Sequence, residues 1–284
     1  MLVANSLAIF GGKRLGGWVK MPMNLENAPN SDAEKYDVSP NALVRARELI
    51  DIGRHSDALT ILEGALRGDP DSPQLRSALA EALLPTDPKR AYEEAVRSVA
   101  EAPGNSRMHL VASVCASQAN DLKSAMGHAR IAVRQDPTSA HFRSWLAQTI
   151  CSSADTGLLP EAQASADKAI VMDSNDPLSW YAHARVALLK NDLDEATRSF
   201  QQCLALDAEM PEATHALAHL SVHRGERATA LSLLQNLVAT SPRSQRARRD
   251  LDLQLTAVLG DILWAALPVA TFLSALAIYL TSGR

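Results

Sequence analysis

Small and large apolar residues alternate along this chain at helical spacing, and the stripes they make come in pairs. Over Pro177–Met210, Trp180, Ala184, Ala187 and Leu188 share one stripe, Asn191-Asp192 interrupts it, and Ala196, Phe200, Cys203 and Leu204 form a second. The pattern predicts a helical hairpin. Ala196 falls where the helices approach closely, since a one-methyl side chain leaves room for the facing backbone. The same signal returns at Ala58, Ala91, Ala125, Ala162, Ala196 and Ala230, separated by 33, 34, 37, 34 and 34 residues. A second ladder runs through Ala46, Ala80, Ser113, Ala147, Ala184 and Ala218, and a third through Ala65, Ser98, Ala132, Ala169, Cys203 and Leu237. A fixed period of this length identifies a stacked array, because one hairpin cannot bury its apolar face alone. The expected fold is all-α, an α-solenoid of about six helical hairpins.

The spacing resembles the tetratricopeptide repeat (TPR) family, whose 34-residue unit carries small residues at these three places, Gly or Asn-Asp at the turn, and Pro near the end. The resemblance covers 39–244 as six repeats: 39–72, 73–105, 106–139, 140–176, 177–210 and 211–244. Gly53, Asn120-Asp121, Asn191-Asp192 and Gly225 occupy the turns, and Pro70, Pro103, Pro137 and Pro242 the closing positions. The second repeat is one residue short around Pro85–Lys89. The fourth has about three extra residues within Cys151–Pro160, a longer turn expected to project from one edge and read as a tolerated insertion. Ser39-Pro40, Ser72-Pro73 and Asp176-Pro177 each pair a capping side chain with Pro at the first helical position.

The flanks differ in character. Residues 1–38 read as a flexible leader and linker: the positive charges Lys13, Arg14 and Lys20 follow the short apolar run, the reverse of a secretory signal, and Met21–Val38 has no periodicity. Residues 245–261 read as a charged capping and juxtamembrane helix. Residues 262–280 carry no charge over 19 positions, about 28 Å as a helix against the roughly 30 Å of a bilayer core. Trp264 and Tyr279 stand near the ends of this segment, and Pro268 is tolerated in a membrane helix. Only 281–284 follow. Arg243, Arg246, Arg248 and Arg249 precede the span against one Arg after it, so the expectation is a single-pass C-terminal anchor with the repeats in the cytoplasm.

Composition narrows the functional classes. With 46% hydrophobic and 4% aromatic residues the core is mainly Ala and Leu, which suits close helices. A net charge of -4 and the lack of an aromatic-studded basic face argue against nucleic acid. Cys115, Cys151 and Cys203 are odd in number and widely spaced, which argues against a disulfide framework and for a reducing compartment. Arg far outnumbers Lys, a bias common in GC-rich bacterial genomes. There is no G-x-S-x-G, no Walker loop and no local nucleophile–His–carboxylate frame, so no enzyme activity and no cofactor are expected.

The resemblance implies a protein or peptide ligand in an inner groove lined by the first helices. The corresponding positions are Arg47, Glu81, Arg107, Gln148, Tyr181, Arg185, His215, His219 and His223. Relatives that clamp a chaperone's acidic C-terminus use an ordered Lys and Asn set, whereas this chain has Leu43 and Arg47 in its first repeat, so that ligand is not supported. His215, His219 and His223 form one stripe at spacing four. A metal reading meets a limit, since the outer two stand about 12 Å apart along the axis and a third ligand must come from elsewhere. Ala216 also stands where the His-Glu-x-x-His metalloprotease motif needs Glu. The three are therefore read as groove residues, with no metal assigned, and His128, His141 and His183 as solitary helical histidines. The function expected is a membrane-anchored scaffold for a protein partner, with a chaperone or assembly factor holding exported or membrane-protein clients as the alternative.

Overall fold

The computed structural model describes residues 40–240 and 247–256, and all regular structure among them is helical. It divides into two units, 1–206 and 207–284. In the first, ten helices make five hairpins: α1 (Pro40–Asp51) with α2 (His55–Gly68), α3 (Pro73–Leu83) with α4 (Pro88–Glu101), α5 (Ser106–Gln118) with α6 (Leu122–Gln135), α7 (Ala140–Ser153) with α8 (Leu159–Met172), and α9 (Pro177–Leu189) with α10 (Leu193–Leu206). The second unit holds the hairpin α11 (Pro211–His223) and α12 (Arg227–Thr240), and α13 over 247–256.

Hairpins of the first unit stack in sequence: each second helix packs on the first helix that follows it, and α1 meets α3, α3 meets α5, and α7 meets α9. The two alanine ladders seal these contacts. Ala58, Ala91, Ala125, Ala162, Ala196 and Ala230 are all fully buried, as are Ala46, Ala80, Ser113, Ala147 and Ala184. Ser113 stands in the ladder without leaving a polar orphan: its hydroxyl donates to the Ala125 carbonyl at 2.7 Å and accepts from Trp145 Nε1 at 2.8 Å, joining α5, α6 and α7. The third ladder is buried from Ser98 onward, while Ala65 is half-buried.

The turns follow from local chemistry. Gly53, Asn120, Asn191 and Gly225 adopt positive φ of 78°, 65°, 61° and 77°, the left-handed region that Gly and Asn enter at least cost. In the Asn-Asp turns the next residue has a separate task. Asp121 accepts from the Ser124 amide at 3.1 Å and Asp192 from the Glu195 amide at 3.0 Å, capping α6 and α10. The short second hairpin has no left-handed residue; the Thr86 and Asp87 amides both bond the Leu83 carbonyl, at 3.0 and 2.8 Å, and Asp87 caps α4.

The long turn of the fourth hairpin is tied down at its far end: Ala154 takes φ 53°, Asp155 caps a 3-10 turn over Thr156–Leu158, and the half-buried Leu158 packs onto the core formed with Leu146, Ile150, Ala162 and Val186, while 154–157 stay exposed. One local expectation changes. Ser72 does not cap α3 through its hydroxyl, which is buried without a partner; the helix starts on the fixed φ of Pro73. Asp176 does cap, accepting from the Leu178 amide at 3.1 Å and the Ser179 hydroxyl at 2.7 Å. Asn105 and Ser139 cap α5 and α7 as well.

The three cysteines are thiols buried in α5, α7 and α10, and burial pushes the Cys115 and Cys151 thiols upward. The leader and linker of 1–38, Ser39, Pro242, Arg243, Arg246 and the whole of 262–280 lie outside the described residues. Among the described residues no helix is long and apolar enough to cross a membrane. The capping segment expected over 245–261 is seen as a helix over 247–256, with Ala247 buried and Arg248 and Arg249 exposed.

Candidate partner-binding face

Arg47, Glu81 and Arg107 come from α1, α3 and α5, the first helices of three consecutive hairpins, and the fold brings them within electrostatic reach of one another. Glu81 is 5% exposed. Its Oε1 has no hydrogen-bond partner, and neither has Nε of Arg47 or of Arg107. Burial drives the Glu81 carboxyl up, and the attraction of Arg107 and then Arg47 only partly offsets it. Arg107 is moved in the opposite sense, its charge disfavoured first by burial and favoured by Glu81. One polar atom in each of the three residues is thus buried without a protein partner, within a buried carboxyl and two half-buried guanidinium groups, which is costly unless something else satisfies those atoms.

The other groove candidates are placed differently. Gln148 and Tyr181 are buried, at 3% and 7% exposure. Tyr181 meets Phe200 edge-on across the α9–α10 hairpin, with centroids 5.7 Å apart, so its ring serves the core. Arg185 is half-buried; its guanidinium donates to the Ser152 hydroxyl at 3.1 Å, tying α9 to α7, and lies 6.0 Å from the Tyr181 ring.

The histidine stripe separates into two parts. His215 and His219 turn to Asp250 on α13: His215 Nε2 is 2.6 Å from Asp250 Oδ2, His219 Nε2 is 3.3 Å from the same oxygen, and the two Nε2 atoms are 3.3 Å apart. His223 is exposed and takes no part. Asp250 was not among the residues singled out by sequence, and nothing in the charged run from Arg243 to Asp252 distinguishes it from Asp252. Two of the solitary histidines are not solitary. His128 Nδ1 lies 3.1 Å from His109 Nδ1, and burial lowers both rings. His183 Nδ1 meets the Ser199 hydroxyl at 3.0 Å and the ring lies near Asp167 and Glu195, so it links α9 to α8 and α10.

Several charges on the second helices are paired across hairpins. Arg130 of α6 holds Glu161 of α8 with two bonds, at 2.8 and 2.7 Å, and Arg90 of α4 holds Glu63 of α2 at 2.9 Å. Within the second hairpin Arg76 bridges Glu94 at 3.0 Å and Glu101 at 2.7 Å. Two of these ion pairs join neighbouring second helices and the Arg76 pairs join α3 to α4, whereas the unpartnered atoms of Arg47, Glu81 and Arg107 lie on first helices.

Comparisons with known proteins bear on this arrangement. Residues 43–86 and 89–140 match the family model of a tetratricopeptide repeat, and residues 155–275 match that of the middle TPR-like domain of cilia and flagella-associated protein 70. No curated protein matches the sequence. PilF of Pseudomonas aeruginosa is similar in structure at 18% identity, over 74% of this chain and 94% of that one, with a TM-score of 0.55. The Cut9-Hcn1 hetero-tetramer of APC/C is similar at 15% identity, over 80% of this chain and 44% of that one, with a TM-score of 0.66. Acl4, an assembly chaperone of RpL4, is similar at 14% identity, over 79% and 98%, with a TM-score of 0.53. At these identities the likeness is one of fold.

Proposed function

The chain belongs to the tetratricopeptide-repeat family, and on that premise we propose that it is a non-enzymatic scaffold binding a protein or peptide segment along its first helices. The observation that carries this reading is the trio of Arg47, Glu81 and Arg107 on successive first helices, each with one buried polar atom, Nε, Oε1 and Nε in turn, that has no hydrogen-bond partner. A mixed-charge segment laid across α1, α3 and α5 supplies what they lack: acceptors for the guanidinium N–H groups and a donor for the Glu81 carboxyl. The paired charges on the second helices offer nothing comparable.

The scaffold is held at the cytoplasmic face of a membrane. This rests on the uncharged run of residues 262–280, with Trp264 and Tyr279 near its ends, and on the excess of arginine before it. Anchoring confines the search for a membrane partner to a plane and raises its local concentration, so modest affinity suffices.

The test is crosslinking of the full-length chain in native membranes, followed by recovery of its neighbours and repetition with Arg107→Ala. A single stoichiometric partner whose affinity falls about 10- to 100-fold in the variant, with helicity unchanged, is the expected result. Undiminished capture by Arg107→Ala would remove the first-helix face from the reading. A heterogeneous set of clients would replace the scaffold with a holding chaperone, and recovery of the chain in the soluble fraction would remove the anchor.

A further inference from the structure

We propose that His215, His219 and Asp250 form a binding site for one divalent transition-metal ion, of which zinc fits best, and that the ion clasps α13 to α11. His215 and His219 are one turn apart on α11, so both rings leave the same side of the helix. The third donor comes from a separate helix. Asp250 Oδ2 stands 2.6 Å from His215 Nε2 and 3.3 Å from His219 Nε2, and the two nitrogens are 3.3 Å apart. All three contacts belong to one unit of the chain.

Protons bridge at most two sides of this triangle. A ring nitrogen in the imidazole plane carries either a hydrogen or a lone pair, never both, so each Nε2 donates or accepts but does not do one toward Asp250 and the other toward its neighbour. At most two of the three contacts can be hydrogen bonds. If both rings donate to the carboxylate, two N–H groups converge on one oxygen with their nitrogens only 3.3 Å apart; if one accepts from the other, it turns a lone pair on the carboxylate. A cation at the centre satisfies all three donor atoms through lone pairs.

The dimensions suit a small ion. Ligand atoms about 2.0 Å from a tetrahedral zinc stand about 3.3 Å from one another, which matches two sides of the triangle. The third side, at 2.6 Å, opens by a small rotation of the Asp250 carboxylate. Two imidazoles and one carboxylate are a zinc or first-row transition-metal donor set, not the all-oxygen set of calcium or magnesium. Burial is graded. The His215 side chain is 11% exposed, Asp250 22% and His219 26%, so the fourth position opens toward water on the His219 side. The site serves as a structural clasp. The ion fixes the orientation of α13, and with it Arg248 and Arg249, against the last hairpin.

The test uses the purified full-length chain, stripped with chelator and titrated with zinc by calorimetry and with cobalt by visible absorption. The expected result is one ion per chain, a tetrahedral cobalt spectrum, and a rise in melting temperature of about 5 °C at saturating zinc. Asp250→Asn lowers affinity at least about tenfold and His219→Ala abolishes the cobalt spectrum, whereas His223→Ala and His128→Ala change neither. Absence of zinc binding by the folded wild-type chain would overturn the site, as would full binding by folded Asp250→Asn, or binding lost only in His128→Ala, which assigns it to the His109–His128 pair. Should a variant fail to fold, the wild-type cobalt spectrum decides alone, an octahedral spectrum counting against the proposal.

Discussion

The second helices set Arg130 against Glu161 and Arg90 against Glu63, whereas the first helices gather Arg47, Glu81 and Arg107 and leave the Glu81 Oε1 and both guanidinium Nε atoms without partners. The carboxyl groups register the difference. The hydrogen bond from Arg130 holds Glu161 below its ordinary range, and that from Arg198 does the same for Glu195. On first helices burial drives Glu81 upward and Glu212 to about 7. Glu101 on α4 departs from this division: partial burial raises it despite Arg76. Cross-hairpin ion pairs thus gather on one row of helices, and unpartnered buried polar atoms of Arg47, Glu81 and Arg107 on the other.

The contrast can be broken in three places. The largest effect belongs to Phe200→Ala on α10, a fully buried ring whose loss costs about 3–5 kcal/mol, read as a lower urea midpoint. A cost under about 1 kcal/mol would show that the second-helix core is not what supports the stack.

Next comes pH. The folded chain holds the Glu212 proton to about 7 while the unfolded chain releases it near 4.5. Between these values the folded state binds more protons, so stability that is complete below about 4.5 is lost as pH rises toward 7. The ceiling on that loss is about 3 kcal/mol, and Glu212→Gln abolishes it. Urea midpoints of the wild type and variant at pH 5 and 7.5 measure this, and parallel behaviour of the two would exclude it. Glu81 acts in the same direction.

The smallest effect is that of Arg130→Ala. Its ion pair with Glu161 is 41% and 36% exposed, and removal costs at most about 1 kcal/mol in a thermal melt. A larger loss would mean that the second-helix pairs carry more of the stack than the buried alanines do.

Much of this fold was legible because it is local and periodic. Ala58, Ala125 and Ala196 declare their burial through spacing alone, and Gly53, Asn120, Asn191 and Gly225 declare left-handed turns through their tolerance of positive φ. What escaped was set by contacts distant in sequence. Leu158 looked like part of an exposed insertion because its burial depends on Ile150, Ala162 and Val186. Tyr181 holds a first-helix position that by resemblance faces a groove, yet Phe200 across the hairpin claims its ring. Asp250 follows His219 by 31 residues on a separate helix, and the pattern of charge there carries no information about which carboxylate turns back.

The fourth hairpin adds residues between Ser153 and Leu159, and Ala147 and Ala162 on either side are still sealed completely. Spacing along the chain can therefore drift while the ladder positions on either side stay buried. A hairpin can lengthen at its bend without opening the alanine contacts on either side, so bends are where this architecture diversifies at little structural risk, one unit at a time.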